Sequence, residues 1–225
     1  TLKDIRTPLQ TVVNYKATNY SMALEGLEGG EAIVLNLHNL RKYNLQTIKK
    51  YLVSNLENNK QSDLNSVRLV EELYNQSYYF ATLSVNSAEG EAQLQGIDKK
   101  WQLQKQLMNR EYTEETELGV VVNGALAMDK SIAALLELVE KSYKTNAPDY
   151  ALKMALAEQA SLVEKIAVMV LCGRWDIENN TSFVDRNKAV MKFEKSLAAV
   201  VAVEEVRSIT KIHVANILKV WISVE

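Results

Sequence analysis

The amino-acid sequence predicts an all-α protein, and three observations lead to this fold class. Only 8 glycines and 2 prolines occur among 225 residues, whereas a sheet protein with many tight turns uses more of both. No segment shows the alternation of apolar and polar residues that marks a half-buried strand. Apolar residues make up 47% of the chain, enough for a packed core. We therefore expect an elongated bundle of long antiparallel helices.

Three helices are expected in the first half of the chain. The first runs over 11–56, and three glycines within 26–30 mark the point where it is kinked or interrupted. The polar segment 58–63 is a turn, and a tyrosine-rich second helix follows it to Ser84. After a loop at 86–90, a shorter third helix completes this half.

The second half is expected to hold four helices. Thr113 and the two glutamates after it begin the fourth, which runs to residue 143, because anionic side chains stabilise the positive end of a helix dipole. Ser182 and Asp185 resemble a capping box, which predicts that a sixth helix begins there and ends near residue 201. A seventh helix is expected over 204–224.

The fifth helix has the clearest pattern. Asn146 followed by Pro148 is typical of a helix start, and Gly173 after Cys172 predicts an end in the left-handed cap position. Between them, six positions follow the 4, 3, 4, 3, 4 spacing of a heptad seam, which is typical of helices packed nearly parallel. These positions are Leu152, Leu156, Gln159, Val163, Ile166 and Val170.

A related seam lies 118 residues earlier, which indicates an internal duplication. It too has apolar ends and polar residues in its middle, at Val34, His38, Arg41, Leu45, Ile48 and Leu52. The segments 97–101 and 217–221, which both end in tryptophan, are 120 residues apart. We therefore predict two tandem related helical modules, 11–110 and 111–225, within one continuous domain.

The charge balance argues against two classes of partner. The net charge is −2, from 26 basic and 28 acidic side chains. Nucleic acids and anionic membrane surfaces both attract proteins with a basic excess. We therefore expect no nucleic-acid partner.

Motifs for catalysis and metal binding are not found. Cys172 is the only cysteine, which excludes a disulfide framework and a multi-cysteine metal site. His38 and His213, the only histidines, do not have the spacing of a di-iron or zinc-protease helix. The sequence has no nucleophile elbow, phosphate loop or dinucleotide fingerprint. We expect no enzyme activity, no cofactor and no metal.

Membrane attachment is not predicted from this stretch itself. No uninterrupted apolar run approaches the roughly 20 residues that cross a bilayer, and the longest, 166–172, is better explained as core. The chain begins at Thr1 without a signal-peptide pattern. We interpret it as a piece of a longer protein.

A signature motif is recognisable in the fifth predicted helix. Ala147-Pro148 is followed by the segment 157–167, AEQASLVEKIA, and a fainter copy, LRKYNLQTIKK, occupies 40–50. This pattern resembles the repeated signature of the PilJ family of type IV pilus chemoreceptors, which reads roughly Gly-Arg-Gln-Arg-Met-Leu-Ser-Gln-Arg-Ile-Ala. The resemblance covers 30–225 and includes the two-module organisation.

The resemblance implies a function and a location. It implies the periplasmic sensory domain of an inner-membrane, methyl-accepting receptor that controls pilus-dependent twitching motility. It also implies a homodimer and a ligand that is either a small molecule or a pilin or other protein. Similar modules in nitrate and nitrite sensors hold the anion with a motif arginine. Here Glu158 and Ala160 replace both arginines of the second copy, and Arg41 or Lys42 is the counterpart in the first.

Four side chains are the candidate ligand-binding residues: His38, Arg41, Lys42 and Gln159. In the functional interpretation they contact a ligand within the bundle, with Arg41 forked onto a carboxylate or oxyanion. In the structural interpretation they set helix register at an interface, or Arg41 extends outward to solvent. Similarly, a pocket, an interface or an ordinary core accounts for the aromatic cluster of Tyr74, Tyr78 and Tyr79 with Trp101.

Two functions from different classes follow. The first is a non-enzymatic sensory domain that transmits a small helix movement across the membrane, which requires different ligand affinities for two helix arrangements. The second is a soluble helical scaffold that binds partner peptides or helices. Hydrophobic spans flanking this segment in the parent protein would favour the first, and their absence would favour the second.

Overall fold

A computed structural model describes residues 29–56, 60–110, 112, 115–142, 150–177 and 183–202. Over these ranges the chain contains helices and no strand, so the all-α class is confirmed there. The six α-helices are α1 (Gly29–Leu56), α2 (Lys60–Ser84), α3 (Ala88–Met108), α4 (Gly119–Ser142), α5 (Tyr150–Arg174) and α6 (Phe183–Ala202). A 3-10 turn, Glu115–Leu118, leads into α4. The predicted seventh helix and the part of the first before residue 29 lie outside the described residues.

Helix α1 is central to the packing. It lies against α2, α4 and α5, while α3 packs on α4 and α6 packs on α5. All six side chains of the seam predicted on α1 are buried. Because α1 is enclosed by three helices, its two polar seam residues, His38 and Arg41, are in the interior.

Two apolar clusters lie at different levels along α1. Core A contains Ile33, Leu37 and Leu40 of α1 together with partners from the other helices, among them Tyr74, Trp101, Ile132 and Leu135. Core B contains Leu45, Ile48 and Leu52 of α1, together with Val67, Leu107, Val121, Val168 and Cys172. Both cores draw side chains from both sides of residue 110. The division into two modules remains a prediction.

The aromatic residues separate into core and surface. Trp101 and Tyr74 are 1% exposed, and their rings stack with centroids 4.0 Å apart. Trp101 Nε1 donates to Asn75 Oδ1 at 3.2 Å, which satisfies the indole N–H. Tyr78 is half-buried, and Tyr79 is exposed. The core interpretation therefore holds for Tyr74 and Trp101.

The seam predicted on α5 is wrong at three of its six positions, while Gln159 and Ile166 are buried and Leu152 is half-buried. Leu156, Val163 and Val170 are 43%, 43% and 52% exposed. The helix instead turns toward its neighbours a stripe two residues further along, with the same 4, 3, 4, 3, 4 spacing and every position buried or half-buried: Met154, Glu158, Ser161, Lys165, Val168 and Cys172. Since two residues rotate a helix by about 200°, the exposed members of the predicted stripe lie on the opposite side, while Ile166 packs on α6.

The end of α5 also differs from the prediction. Gly173 is helical and α5 continues to Arg174, while the left-handed residue is Asp176, with φ 52°. Ile177 N donates to Cys172 O at 2.9 Å, the six-to-one hydrogen bond of a Schellman motif. Ile177 is buried in core B. Its burial explains why the left-handed residue after the helix is Asp176 rather than Gly173.

The loop predicted at 86–90 is wrong in part, because α3 begins within it. The helix begins at Ala88, and the Ser87 side chain accepts a hydrogen bond from Gly90 N at 3.1 Å. Serine is a favoured N-cap because its hydroxyl satisfies one of the unpaired N–H groups of the first turn. The loop is therefore shorter than predicted.

Among the described helices, α4 satisfies the length and composition criteria for a membrane span. Its most apolar window of 18 residues has a mean hydropathy of 1.4. Asp129 and Lys130 interrupt the apolar run, and 56% of the window is buried within the fold. Because core helices meet the same criteria, this is weak support for a membrane span.

Candidate functional site

An ionic cluster joins three helices between core A and core B. Asp129 of α4 accepts a hydrogen bond from Arg41 Nε of α1 on Oδ1 at 2.9 Å. Its other oxygen, Oδ2, accepts from Lys165 Nζ of α5 at 2.8 Å. The side chains of Arg41, Asp129 and Lys165 are 6%, 1% and 19% exposed. Because Asp129 belongs to α4 and binds side chains of both α1 and α5, this carboxylate fixes the positions of the three helices relative to one another.

The electrostatics of the cluster keep Asp129 ionised. Burial alone would raise the pKa of its carboxyl group, because a low-dielectric interior disfavours charge. The positive charges of Arg41 and Lys165, and the hydrogen bonds that they donate, outweigh burial and hold the pKa below its ordinary value. Two cations around one carboxylate leave the ionic cluster with a surplus positive charge.

Neutral hydrogen bonds extend the same layer. Asn44 Nδ2 donates to Ala125 O at 2.9 Å, which ties α1 to α4. Ser161 Oγ donates to His38 O at 3.1 Å, which ties α5 to α1. These bonds link side chains to the backbone of neighbouring helices, so they fix the axial register of each helix pair as well as its distance.

A second polar contact joins α3 and α4 just beyond this layer. Gln104 Nε2 donates to Val121 O at 2.8 Å. A Cβ atom placed on Gly124 would lie 2.3 Å from Gln104 Oε1, so the absence of a side chain at this position lets the amide lie against α4.

The ionic cluster borders a cleft between α1, α4, α5 and α6, with a volume of about 260 Å³. Five cations and one carboxylate line it: Arg41, Lys130, Lys165, Lys188, Lys192 and Asp185. The rest of the wall is apolar and consists of Leu126, Leu162, Met169 and Ala189. We call it the cationic cleft.

The charges in the cationic cleft are only partly balanced. Lys165 pairs with Asp129, and Lys192 Nζ pairs with Glu158 Oε1 at 2.6 Å. Lys130 and Lys188 have no ion pair or hydrogen bond with any residue in the described ranges. Arg41 bonds Asp129 through Nε, which leaves its two terminal nitrogens for another acceptor. The cleft therefore offers unpaired positive charge to an anion.

The four predicted ligand-binding residues occupy different environments. Arg41 lines the cationic cleft. Lys42, the next residue, is half-exposed outside the cleft lining, with Nζ 5.1 Å from the centre of the Tyr43 ring. Gln159 is 8% exposed, and its Nε2 has no hydrogen-bond partner among the described residues. Of the four predicted residues, Arg41 therefore lines the cleft.

His38 is buried on α1 one turn before Arg41 and is 3% exposed. Burial, followed by the nearby charge of Arg41, lowers its pKa from 6.5 to about 4. Its Nδ1 atom has no hydrogen-bond partner within the described ranges. At neutral pH the imidazole is therefore uncharged, and it adds no positive charge to the site.

Six charged members of the site were missed by sequence analysis: Asp129, Lys130, Lys165, Asp185, Lys188 and Lys192. One signal was available, because Asp129 is the only acidic residue in the first sixteen positions of α4, an otherwise apolar segment. A carboxylate on such a face requires a cationic partner, since an unpaired buried charge is costly. The identity of that partner is not encoded locally, because Arg41 is 88 residues away.

Comparison with protein-family models, curated proteins and solved structures finds no match to this chain. Among the described residues, no three His, Cys, Asp or Glu side chains are grouped closely enough to hold a metal ion. Burial raises the pKa of the Cys172 thiol to about 11, so the thiol is protonated at neutral pH.

Proposed function

We propose that this chain is the sensory domain of a membrane receptor, of the kind that the PilJ-type resemblance implies. In this proposal it is periplasmic, belongs to an inner-membrane protein and controls type IV pilus-dependent motility or related signalling. The observation that carries the proposal is the ionic cluster of Arg41, Asp129 and Lys165, which joins three helices and borders a cleft with unpaired cations.

A sensor needs two helix arrangements of similar free energy, which a ligand binds with different affinities. A buried ionic cluster suits this role, because the cost of desolvating its charges offsets most of their attraction. The net stabilisation is small, while the geometry that the cluster imposes is specific. An anion that binds the free terminal nitrogens of Arg41 beside Lys165 adds negative charge next to Asp129, and so changes how firmly α4 is held to α1 and α5.

Helix length supports transmission over a distance. α1 has 28 residues, which corresponds to about 42 Å at 1.5 Å per residue. α1 and α2 pack together across a connection of three residues, as expected of antiparallel neighbours. A movement at the cationic cleft would reach the far end of such helices because they move as rigid rods.

A single sequence interval supports the tandem modules. Adding 120 to each position of the α1 seam gives the stripe that α5 turns toward its neighbours, Met154 to Cys172. The same interval separates Trp101 from Trp221. An interval of 118, which relates the α1 seam to the predicted α5 stripe, does not relate the two tryptophans. An interval of 120 relates the two tryptophans and also the α1 seam and the stripe that α5 turns toward its neighbours. In this proposal α1 and α5 are equivalent helices of two related modules.

The alternative is a protein-interaction scaffold, and one observation favours it. Leu156, Val163 and Val170 form an exposed apolar stripe along α5. Such a stripe is typical of a surface that another helix covers. A pilin, another protein or a second copy of the chain are partners of this kind, and each is compatible with a receptor as well.

A receptor chimera tests the proposal. The chain replaces the input domain of a transmembrane receptor with a measurable kinase output, and the output is recorded with dicarboxylates, inorganic anions and pilin peptides. We expect at least one stimulus to change the output, and Arg41→Ala to weaken that response. Lys42→Ala is the matched control, because Lys42 is adjacent in sequence and lies outside the cleft lining. Circular dichroism checks that both variants remain helical.

Two results would count against the sensory proposal. One is an output that no stimulus changes. The other is a parent protein without hydrophobic spans beside this segment and without a methylation rod after it, which would favour the scaffold.

A further inference from the structure

We propose that the cationic cleft binds a small dicarboxylate, an organic dianion with a carboxylate at each end of a short carbon chain. This inference rests on the proposed sensory function and specifies the ligand of that site. It follows from the charge, the size and the apolar wall of the cleft.

The charge of the cleft matches a dianion. Five cations line it, and the carboxylates that line it or pair with its cations are Asp129, Glu158 and Asp185. Two positive charges remain, and Lys130 and Lys188 are the two cations without a partner among the described residues. They are exposed on α4 and α6, while Arg41 is buried on α1. The cleft therefore has cations both at its buried side and at its rim.

Arg41 provides the specific contact at the buried side. Its Nε is held by Asp129, and this bond fixes the plane of the guanidinium. The two terminal nitrogens can then bind one carboxylate in the fork geometry that arginine prefers. Lys165, held on the other oxygen of Asp129, adds positive charge beside it. The ligand carboxylate does not have to break either existing bond.

Size and wall chemistry distinguish between anions. The volume of about 260 Å³ is below the roughly 300 Å³ at which pockets for drug-sized ligands begin, which favours a small ligand. Leu126, Leu162, Met169 and Ala189 contribute an apolar wall, which stabilises a carbon chain and gains nothing from sulfate or phosphate. In a short dicarboxylate, the two carboxylates bind the cations at the buried side and at the rim of the cleft, and the carbon chain packs on the apolar wall between them.

Binding has a structural consequence. In the empty cleft the cations of α4, α5 and α6 repel one another, because Lys130, Lys165 and Lys188 converge on one space. A dianion removes this repulsion and draws α6 toward α4. Among the principal helix pairs, α6 packs only on α5. The ligand thereby changes the packing of α6.

Isothermal titration calorimetry of the full 225-residue chain tests the inference, with succinate and glutarate as probes in low-salt buffer. Butyrate, which has one carboxylate, and sulfate and phosphate, which have no carbon chain, are the comparison ligands. We expect a dissociation constant below about 1 mM for a dicarboxylate, and binding at least about tenfold weaker for the other three.

Variants locate the site. Lys130→Gln and Lys188→Gln are each expected to weaken dicarboxylate binding about tenfold, and both positions are exposed, so the fold is retained. Lys99→Gln removes one charge from an exposed position on α3 and should leave binding unchanged.

Three results would overturn the inference: no dicarboxylate binding, sulfate or phosphate binding as tightly as succinate, or affinity that is unaffected at Lys130 and Lys188. The fate of the sensory proposal is separate. Dicarboxylate binding without any output from the receptor chimera would refute the sensory function and keep the binding site. A chimera that responds only to other stimuli, from a chain that binds no dicarboxylate, would refute the binding site and keep the sensory function.

Discussion

Replacing Asp129 with asparagine should destabilise the protein far more than removing a surface ion pair. Asparagine keeps one oxygen for Arg41 but turns an N–H group toward the Lys165 ammonium, and it removes the negative charge. Breaking a buried ion pair by removing one partner costs about 3–5 kcal/mol. Lys165 is 19% exposed, and Arg41, although only 6% exposed, lines the cationic cleft, so both cations can be partly rehydrated. The expected loss is therefore near the lower end, about 3 kcal/mol.

The assay is urea unfolding followed by circular dichroism at neutral pH, with the free energy of unfolding obtained by linear extrapolation. Glu158→Gln is the matched control, because it breaks an ion pair whose partner, Lys192, is 57% exposed. Such a pair contributes less than about 1 kcal/mol.

A second variant separates the role of the unpaired charge from that of the contact itself. Replacing all three members of the ionic cluster, Arg41→Met with Asp129→Leu and Lys165→Met, removes every charge at once. This variant should recover stability to within about 1 kcal/mol of the natural chain, because apolar side chains of similar volume often replace a buried ionic group without loss. If Asp129→Asn cost no more than Glu158→Gln, the cluster would not be the buried junction described here.

Three further predictions concern positions outside the ionic cluster. Because the pKa of His38 is lowered from 6.5 to about 4, the unfolded chain binds a proton there that the folded chain does not. Stability therefore falls as the pH drops from 6.5 to 4, by up to about 3 kcal/mol, and His38→Gln should flatten this part of the stability–pH curve in urea titrations; a curve as steep as that of the natural chain would refute this prediction. Asp176→Gly should raise the melting temperature by an amount equivalent to about 1 kcal/mol, because a non-glycine residue at φ 52° is strained, and an unchanged or lower melting temperature would argue against a left-handed residue there. Trp101→Ala should lower the free energy of unfolding in urea by about 4 kcal/mol, because it opens a cavity beside the stacked Tyr74 ring. Tyr79→Ala, at a position 59% exposed, should lower it by less than about 0.5 kcal/mol. Equal losses at the two positions would refute the described core.

Local patterns were sufficient for the helices and for the face of α1. Long helices with few glycines are visible in composition, and the α1 seam is apolar at both ends. Arg41 was identified because a charged side chain in the middle of that seam needs a partner. These features depend on residues close together in the chain, which is why the sequence predicts them.

The buried face of α5 could not be predicted in the same way. Two heptad stripes compete on this helix, and the more apolar one is exposed at Leu156, Val163 and Val170. The buried stripe carries Ser161 and Lys165 in its middle. Their polarity is compensated by His38 O and by Asp129, which are 123 and 36 residues away. Hydrophobicity ranks the stripes wrongly because it takes no account of partners contributed by distant helices.

The error at Gly173 has a related cause. Glycine is the residue that most readily adopts the left-handed conformation, so the local rule chose it over Asp176. The helix continues further because its end is fixed by Ile177, which packs into core B. The local preference is worth about 1 kcal/mol, and burial of an isoleucine side chain is worth more.

The central claim is that a ligand in the cationic cleft changes how α6 is held against α4. The most direct test is a distance measurement between spin labels on Ala134→Cys of α4 and Asn187→Cys of α6, both exposed positions, while the buried Cys172 remains unlabelled. Saturating succinate should shorten the distance, and the shift should disappear when Lys130→Gln and Lys188→Gln are added. A distance distribution that does not change at saturation would contradict the account.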